Sequence, residues 1–450
     1  MNDKVTLKEK VCYAMVNLGN IPIQAVLGAY LLIFYTNVVG LSPASCATLF
    51  LIARIMDGLN DPFVGFVIDH LPTTKYGHFR PALIIGTVLC SINFMLLWFG
   101  PLMIPSGKLV IAYLTYLLIG VLFPVMDISL NSMLPVMTTD MDERNVLSSL
   151  KGFIYMLGMF AINVVAPIII GNTSEKEGYI KLIVIVTIIV VAFSVIGTLG
   201  LKERVQAEPG KDQYGIKDLF RILGQRPVAV TFLSSLLYMV GVFVANTALA
   251  YFFTYVIGNL ALISVVSMVE LIALLPATII VGMLINKIGK KKAYVIGLIV
   301  MGAVPLIRLI DVANIPILMA ATAIAGFASG LCTPLTYGIQ ADNTDYIELK
   351  MGYRAEAAVA ALSSFITKCG MGIGGAVPGY LLAAVGFDAT AQNQPAEVRG
   401  ILIASAIVIP AILYVAGALI FGIGYPLTKE KLLKQAEEIG ALREKTDDKA

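Results

Sequence analysis

The chain has 450 residues, of which 58% are hydrophobic and only 14% are charged, and its mean hydropathy is +0.86. A soluble globular protein needs far more polar surface, so this composition excludes that class and indicates that lipid surrounds most of the chain. The net charge of +3 says little by itself, and we predict no nucleic-acid partner.

Apolar stretches long enough to cross about 30 Å of hydrocarbon recur with short interruptions. Each must be helical, because a segment that spans a membrane has to satisfy its own backbone hydrogen bonds. The predicted fold class is therefore an all-α membrane protein with twelve transmembrane helices. They lie at about 11–39, 44–70, 81–101, 109–137, 146–171, 180–201, 228–257, 260–287, 292–310, 315–341, 355–386 and 399–424. Only Gly258 and Asn259 mark the boundary between the seventh and the eighth.

Lysine and arginine predict how the helices are oriented. The charged N-terminus lacks a cleavage-type signal, so we expect the first helix to be retained as a span. If that end is cytoplasmic, the cytoplasmic tails and loops hold 24 of the 32 basic residues. The bias recurs loop after loop and predicts a multi-pass protein of the cell membrane with both termini in the cytoplasm.

The longest polar stretch between helices, 202–227, follows the sixth helix and divides the chain into halves. We predict a six-helix bundle at 1–201, a second at 228–424 and a cytoplasmic tail at 425–450. The segment KDLFRIL within the linker is a candidate amphipathic helix on the membrane surface. A weak repeat supports two halves, because GFVID at the end of the second helix and GMLIN at the end of the eighth are each followed by a basic cluster.

The second helix carries the clearest candidate for a cation site. Charged side chains at membrane depth are costly and therefore mark functional positions. Asp57 and Asp61 are four residues apart and project from one helix face, with about 6 Å between their Cβ atoms. Asn60 borders this face, and Pro62 leaves the carbonyl of Gly58 without its helical donor. We predict that Asp57, Asn60 and Asp61 bind the coupling cation, with Asp57 and Asp61 as Na⁺ ligands if sodium is used and as proton carriers otherwise.

A structural interpretation of these charges stays open. Arg54 lies on the adjoining turn, so Arg54 and the two aspartates also fit a charge network that only stabilises the helices. Two acids beside one base leave one negative charge uncompensated until a cation arrives, which favours the cation site. We assign Glu270, a lone acid of the eighth helix, to the charge network, with a functional role and a helix-contact role both open.

The substrate-binding prediction centres on the fourth helix. Asp127 lies too deep for a loop residue, and Asn131 follows it at helical spacing, which favours hydrogen bonding to a solute. Lys151 and Lys368 are intramembrane bases that can pair with the aspartates. Tyr30 is a candidate for stacking on a sugar, although packing is the better interpretation for any single tyrosine.

The five cysteines lie in apolar segments without a CxxC pair. They are typical of small buried hydrophobic residues and predict neither a disulfide framework nor a metal site. Besides the coupling cation, we predict no cofactor.

Several blocks of the sequence together resemble the glycoside–pentoside–hexuronide:cation symporters of the major facilitator superfamily. The blocks are 35–42, 54–62, 77–81, 126–128, 139–144, 251–258 and 345–354. They run from the first helix to the start of the eleventh in the family's order. The resemblance implies the major facilitator fold and cation-coupled import of a glycoside, pentoside or hexuronide by alternating access.

The resemblance also implies roles for individual residues. Asp57, Asn60 and Asp61 match the family's cation site. Asp127 matches a sugar-binding aspartate, Lys151 a base of the substrate region and Lys368 an essential lysine. For conformational gating we name four charged residues near the cytoplasmic ends of helices: Asp69, Arg80, Arg144 and Arg354.

Four positions depart from the family's best-known member. Ile21 replaces a sugar-gripping aspartate, Asn20 a lysine, Asn131 a stacking tryptophan and Pro124 a cation-site threonine. These departures argue against galactoside recognition and leave the choice between Na⁺ and H⁺ open. Ile21 makes the floor of the substrate pocket less polar, so a symporter for a more amphipathic, non-sugar solute is the alternative.

An enzyme is the rival from another class, because Asp57 and Asp61 form a possible acid–base pair. Both lie on one helix beside an arginine, and no GxSxG, HExxH or glycine-rich phosphate loop stands at a convincing place. We therefore predict a transporter whose partners are a small solute, a monovalent cation and the lipid bilayer.

Overall fold

The computed structural model describes residues 5–69, 72, 74–138, 140–171, 175–204, 216–352, 356–389, 395–435 and 437–438. Within these ranges the chain is helical apart from turns and one isolated bridge between Thr74 and Gly77. Twelve long helices are described: α1 (Leu7–Val38), α2 (Pro43–Asp69), α3 (Phe79–Met103), α4 (Lys108–Met137), α5 (Met141–Gly171), α6 (Glu175–Gly200), α7 (Arg226–Ile257), α8 (Leu262–Ile288), α9 (Lys290–Leu309), α10 (Ile315–Met351), α11 (Glu356–Ala384) and α12 (Ala396–Gly424).

Among the described residues, ten helices are long and apolar enough to cross a membrane. The other two, α2 and α11, coincide with the second and eleventh predicted spans; in α2 the apolar stretch is the shorter Pro43–Arg54. The predicted fold class is confirmed. The largest difference is the end of α10, which continues past the predicted 341 into a polar stretch until Gly352, whose φ of 75° ends the helix.

The ends of α1 and α7 share an unusual backbone. Each finishes in π-helical turns, Phe34–Val38 in α1 and Phe252–Ile257 in α7. A glycine with positive φ follows in both cases, Gly40 at 72° and Gly258 at 79°. Glycine adopts this left-handed conformation without strain. Gly258 therefore ends α7 where the sequence predicted the boundary between the seventh and eighth helices.

The helices group into two compact units. Unit 1 comprises Met1–Gly210, Leu249–Ser267 and Ala376–Arg399, and unit 2 comprises Lys211–Ala248, Met268–Gly375 and Gly400–Ala450. In unit 1, α1 packs against α5 and α6, and α4 packs against α2 and α3. In unit 2, α9 packs against α10 and α12. The bundle bounds taken from the sequence stay a prediction.

The predicted amphipathic segment of the linker forms a short helix, Ile216–Leu223. Ile222 is fully buried in a cluster of unit 2 with Val228 and Phe232, whereas Phe220 is exposed. The side chain of Ile222 is stabilised by the hydrophobic effect, because its apolar surface is removed from water by contact with protein. Ile222 therefore packs on the protein, and the membrane-surface position of the segment stays a prediction.

All five cysteines are free in the structure. Cys12, Cys46, Cys90 and Cys332 are buried and Cys369 is half-buried. Cys12 contacts Gly200 closely, so α1 and α6 approach each other where the glycine has no side chain. The cysteines are small packing residues, as predicted.

Candidate functional site

A hydrogen-bonded polar cluster lies in unit 1 on α1, α4 and α5, and its members are Asn20, Asp127, Asn131 and Lys151. Asn20 Nδ2 donates to Asp127 Oδ1 at 2.7 Å, and Asn131 Nδ2 donates to Asp127 Oδ2 at 2.9 Å. Lys151 Nζ donates to Asn131 Oδ1. Each carboxylate oxygen of Asp127 therefore accepts an amide N–H, and the amide of Asn131 links this carboxylate to the ammonium of Lys151. We call these four residues the Asp127 cluster.

The local sequence explains part of this geometry. Asp127 and Asn131 are four residues apart on α4, so their side chains lie one above the other on the same face. Asn20 comes from α1, two residues before Pro22 within that helix. Asn20 is 7% exposed and Asn131 is exposed, so the cluster runs from the interior of unit 1 to its surface. Asn131 is therefore the exposed end of the cluster.

Two other predicted substrate residues lie on α1 and are buried. Ile21 packs against α5, because a Cβ added to Gly158 would lie 2.9 Å from Cδ1 of Ile21. Tyr30 meets the ring of Tyr179 edge-on, with 6.5 Å between the ring centroids. Both side chains face the interior of unit 1, and their roles in solute binding stay predictions.

The charged turn of α2 rests on α4. Arg54 Nη1 donates to Asp57 Oδ2 at 2.8 Å, and Arg54 Nη2 donates to the hydroxyl of Tyr116 at 3.3 Å. The other carboxylate oxygen of Asp57, Oδ1, lies so close to Gly120 that any side chain there would collide with it. Gly120 thus leaves room for a buried carboxylate, which holds one oxygen towards Arg54 and the other towards α4.

The rest of the predicted cation site is described only in part. Asn60 is half-buried on α2, and the side chain of Asp61 lies outside the described residues. Within the described parts of the chain, no three His, Cys, Asp or Glu side chains group as metal ligands. Oxygen atoms of carboxylate and amide groups nevertheless suit a hard cation, and Asp57 and Asn60 supply both kinds. The cation site stays a prediction.

Two of the predicted residues, Glu270 and Lys368, lie in unit 2. Glu270 is half-buried on α8, where it packs against α10: a Cβ added to Gly326 would lie 2.9 Å from the carbonyl oxygen of Glu270. Glu270 therefore makes the helix contact that was one of its two interpretations, and its functional role stays open. Lys368 is half-buried on α11, close in the chain to Gly370, which packs against Met239.

Of the four predicted gating residues, Arg80 is the one whose side chain is described. Its guanidinium donates to the carbonyl oxygens of Thr198 and Leu199 at 3.2 and 3.1 Å, which caps the C-terminal end of α6. Its backbone N–H donates to Glu203 at 2.9 Å. The side chains of Asp69, Arg144 and Arg354 lie outside the described residues. Arg80 thus ties α3 to α6, and gating stays a prediction.

Sequence reasoning missed a polar contact between the π-helical ends of α1 and α7, both of which belong to unit 1. The hydroxyls of Thr36 and Tyr251 share a hydrogen bond, and Asn37 Nδ2 donates to the hydroxyl of Tyr255 at 2.7 Å. A signal was present, because FYTNVVG at 34–40 and FFTYVIG at 252–258 match each other. It is a second repeat between the halves. Tyr116 and Gly120 were missed as well, and no spacing rule points to them.

Comparisons with known proteins agree with this architecture. A family model described as MFS/sugar transport protein matches residues 12–429. An isoprimeverose transporter of Lactiplantibacillus pentosus is 33% identical over 83% of this chain and 79% of its own length. A glucuronide carrier protein homolog of Escherichia coli is 27% identical over 98% of this chain and 96% of its own.

The fold also matches a solved structure. The crystal structure of the nucleoside transporter NupG superposes with a TM-score of 0.64 at 13% sequence identity. The match covers 94% of this chain and 99% of NupG. At this identity the likeness concerns the fold, which is that of a helical membrane transporter.

Proposed function

Because the chain belongs to the MFS/sugar transport protein family, we propose that it is a cation-coupled symporter for a glycoside, pentoside or hexuronide. It imports the solute by alternating access, driven by a cation gradient. One observation carries the proposal: the carboxylate of Asp127, two amides and the ammonium of Lys151 form one hydrogen-bonded cluster among spanning helices. Such a set offers both donors and acceptors, which is what sugar hydroxyls require.

The coupling cation belongs to α2 in this proposal. Arg54 neutralises Asp57 through their ion pair. The sequence adds a second acid, Asp61, to this segment and no second base, so we assign the cation to the excess negative charge of Asp61. A buried charge without a partner is costly, and a bound Na⁺ or proton removes that cost. The cation therefore binds more tightly to the conformation in which α2 packs on α4 than to a conformation in which these helices have moved apart.

A second candidate solute has an observation in its favour. Ile21 lies next to Asn20 in the chain and is buried against Gly158, so the neighbourhood of the Asp127 cluster is apolar on the α1 side. An apolar residue at this position favours a solute with an apolar part, such as a glycoside with a hydrophobic aglycone or an amphipathic non-sugar. Chemical conversion of the solute is not part of either proposal.

The decisive experiment is uptake into proteoliposomes that contain the purified protein. A tenfold inward gradient of Na⁺ or of H⁺ is imposed separately, with a panel of isoprimeverose, phenyl β-D-xyloside, phenyl β-D-glucoside and phenyl β-D-glucuronide. We expect one gradient to concentrate at least one member, which is recovered unchanged. If neither gradient concentrates any member above its level in protein-free vesicles, the proposed function is wrong.

Gly120→Ala tests the placement of Asp57. The added methyl group collides with Asp57 Oδ1, and overpacking of this kind costs about 1–3 kcal/mol. We expect the cation concentration for half-maximal uptake to rise about tenfold, because about 1.4 kcal/mol corresponds to one decade. Gly28→Ala on α1 is the matched control, since a Cβ there meets nothing within 4 Å. An unchanged cation requirement in Gly120→Ala would separate Asp57 from the cation site.

The orientation is also open to a direct test. The chain is a multi-pass membrane protein, and we place it in the cell membrane with both termini in the cytoplasm. Cysteines introduced at Gln213 and Glu438, in a background without the five native cysteines, should resist an impermeant thiol reagent applied to intact cells. Permeabilised cells provide the positive control. If either position is labelled from outside the cell, the predicted orientation is wrong.

A further inference from the structure

We infer that the solute held by the Asp127 cluster is electrically neutral, and that Asn20 is the residue that sets this preference. The inference rests on the proposed transport function and narrows its substrate class from glycosides, pentosides and hexuronides to uncharged ones. It is argued from the four members of the cluster and from the hydrogen bonds that join them.

The first step is the charge balance of the cluster. Asp127 carries one negative charge and Lys151 one positive charge, and the amide of Asn131 connects them. Asn20 and Asn131 contribute no charge. The cluster is therefore balanced before a solute arrives. An incoming carboxylate would bring a second negative charge beside Asp127, and like charges at this distance repel each other.

The second step is that the hydrogen bonds already direct the positive charge of Lys151 towards Asp127. Lys151 donates to Asn131, whose own amide donates to Asp127 at 2.9 Å. A carboxylate bound by the remaining N–H groups of Lys151 would share its positive charge, and the compensation that Lys151 gives Asp127 through Asn131 would weaken. A neutral sugar requires no such sharing. Its hydroxyls can donate to the second lone pairs of the Asp127 oxygens and accept from the remaining N–H groups of Lys151.

The third step concerns Asn20. Its Nδ2 donates to Asp127 at 2.7 Å, and its buried Oδ1 has no hydrogen-bond partner among the described residues. A neutral amide thus occupies the position on α1 that faces the carboxylate. A cationic side chain there would pair with Asp127 and release Lys151 from its compensating role. The cluster would then carry one net positive charge, which an anionic solute can use.

The test compares two solutes that differ in one group. Phenyl β-D-glucoside and phenyl β-D-glucuronide share the ring and the aglycone, and the second has a carboxylate in place of a hydroxymethyl group. Competition of each with isoprimeverose uptake in proteoliposomes gives a preference ratio for the wild-type protein and for Asn20→Lys. We expect the wild type to prefer the neutral member at least tenfold, and Asn20→Lys to move the ratio at least tenfold towards the glucuronide.

A matched variant separates charge from shape. Asn20→Gln changes the length of the side chain but not its charge, so it should retain the neutral preference even if its affinity falls. A wild-type preference for the glucuronide would overturn the inference and would place the solute's carboxylate against a base outside the cluster. The inference would also be overturned if the Asn20→Lys protein still transports solute and its preference ratio equals that of the wild type. Failure of the proposed function looks different, because then no member of the panel accumulates.

Discussion

Asp57→Asn should lose gradient-driven accumulation while it still binds solute. The substitution keeps the shape of the side chain but removes the charge that pairs with Arg54 at 2.8 Å. By sequence, Asp61 lies two turns further along the same helix face, so we expect the guanidinium to pair with this acid instead. Once Arg54 neutralises Asp61, no uncompensated carboxylate remains to attract a cation. Solute binding survives, because the Asp127 cluster lies on other residues.

The measurement is the ratio of internal to external solute in proteoliposomes under a tenfold cation gradient. Such a gradient stores about 1.4 kcal/mol, enough for about tenfold accumulation at one cation per solute. We expect this value for the wild type and a ratio of about one for Asp57→Asn, with isothermal titration showing retained binding. Asp311→Asn removes an exposed carboxylate outside the predicted site and serves as the charge control. If Asp57→Asn and Asp61→Asn both concentrate solute normally, the cation assignment is wrong.

The fold was predictable because lipid imposes it. A segment in hydrocarbon must satisfy its own backbone hydrogen bonds, so the apolar stretches of the sequence were enough to predict twelve helices. Their ends were less predictable, since they depend on local turn chemistry. The helix α10 shows this, because no apolar signal marks its continuation to Met351 and only the left-handed Gly352 stops it.

The candidate site was predictable only where one helix sets the geometry. Asp127 and Asn131 share a face because they are four residues apart, a spacing that is visible in the sequence. Asn20 is 107 positions from Asp127, and only the packing of α1 brings its amide to that carboxylate. Gly120 was harder still to predict. Its role is to leave space for the carboxylate of Asp57, and nothing in the sequence shows that these two residues meet.

The contact between Lys151 and Asp127 was also only partly predictable from the sequence. The sequence named Lys151 as one candidate partner for Asp127, since two opposite charges at membrane depth are expected to pair. The structure places Asn131 between them, so the contact is an amide bridge. A bridge of this kind leaves the carboxylate and the ammonium each with hydrogen-bonding capacity for a ligand. A direct ion pair would satisfy more of both groups, and spacing along the chain cannot distinguish the two arrangements.

Asp127→Ala should weaken solute binding by at least about tenfold. A hydrogen bond to a charged group contributes about 1.5–3 kcal/mol, and about 1.4 kcal/mol corresponds to one decade in affinity. The substitution removes the acceptor of two amide donors as well, so Asn20 and Asn131 lose their orientation and Lys151 loses its compensating charge. Asp127→Asn retains the shape and part of the hydrogen bonding, and we expect an intermediate loss.

Isothermal titration with the best solute of the uptake panel measures this effect, and thermal unfolding of the same samples reports on folding. Ser132→Ala, on α4 beside the cluster and half-buried, is the matched control and should bind as the wild type does. A folded Asp127→Ala protein with unchanged affinity would make Asp127 a structural partner of Asn20 and Asn131. The solute pocket would then have to lie elsewhere, with Glu270 of α8 as the next acid to test.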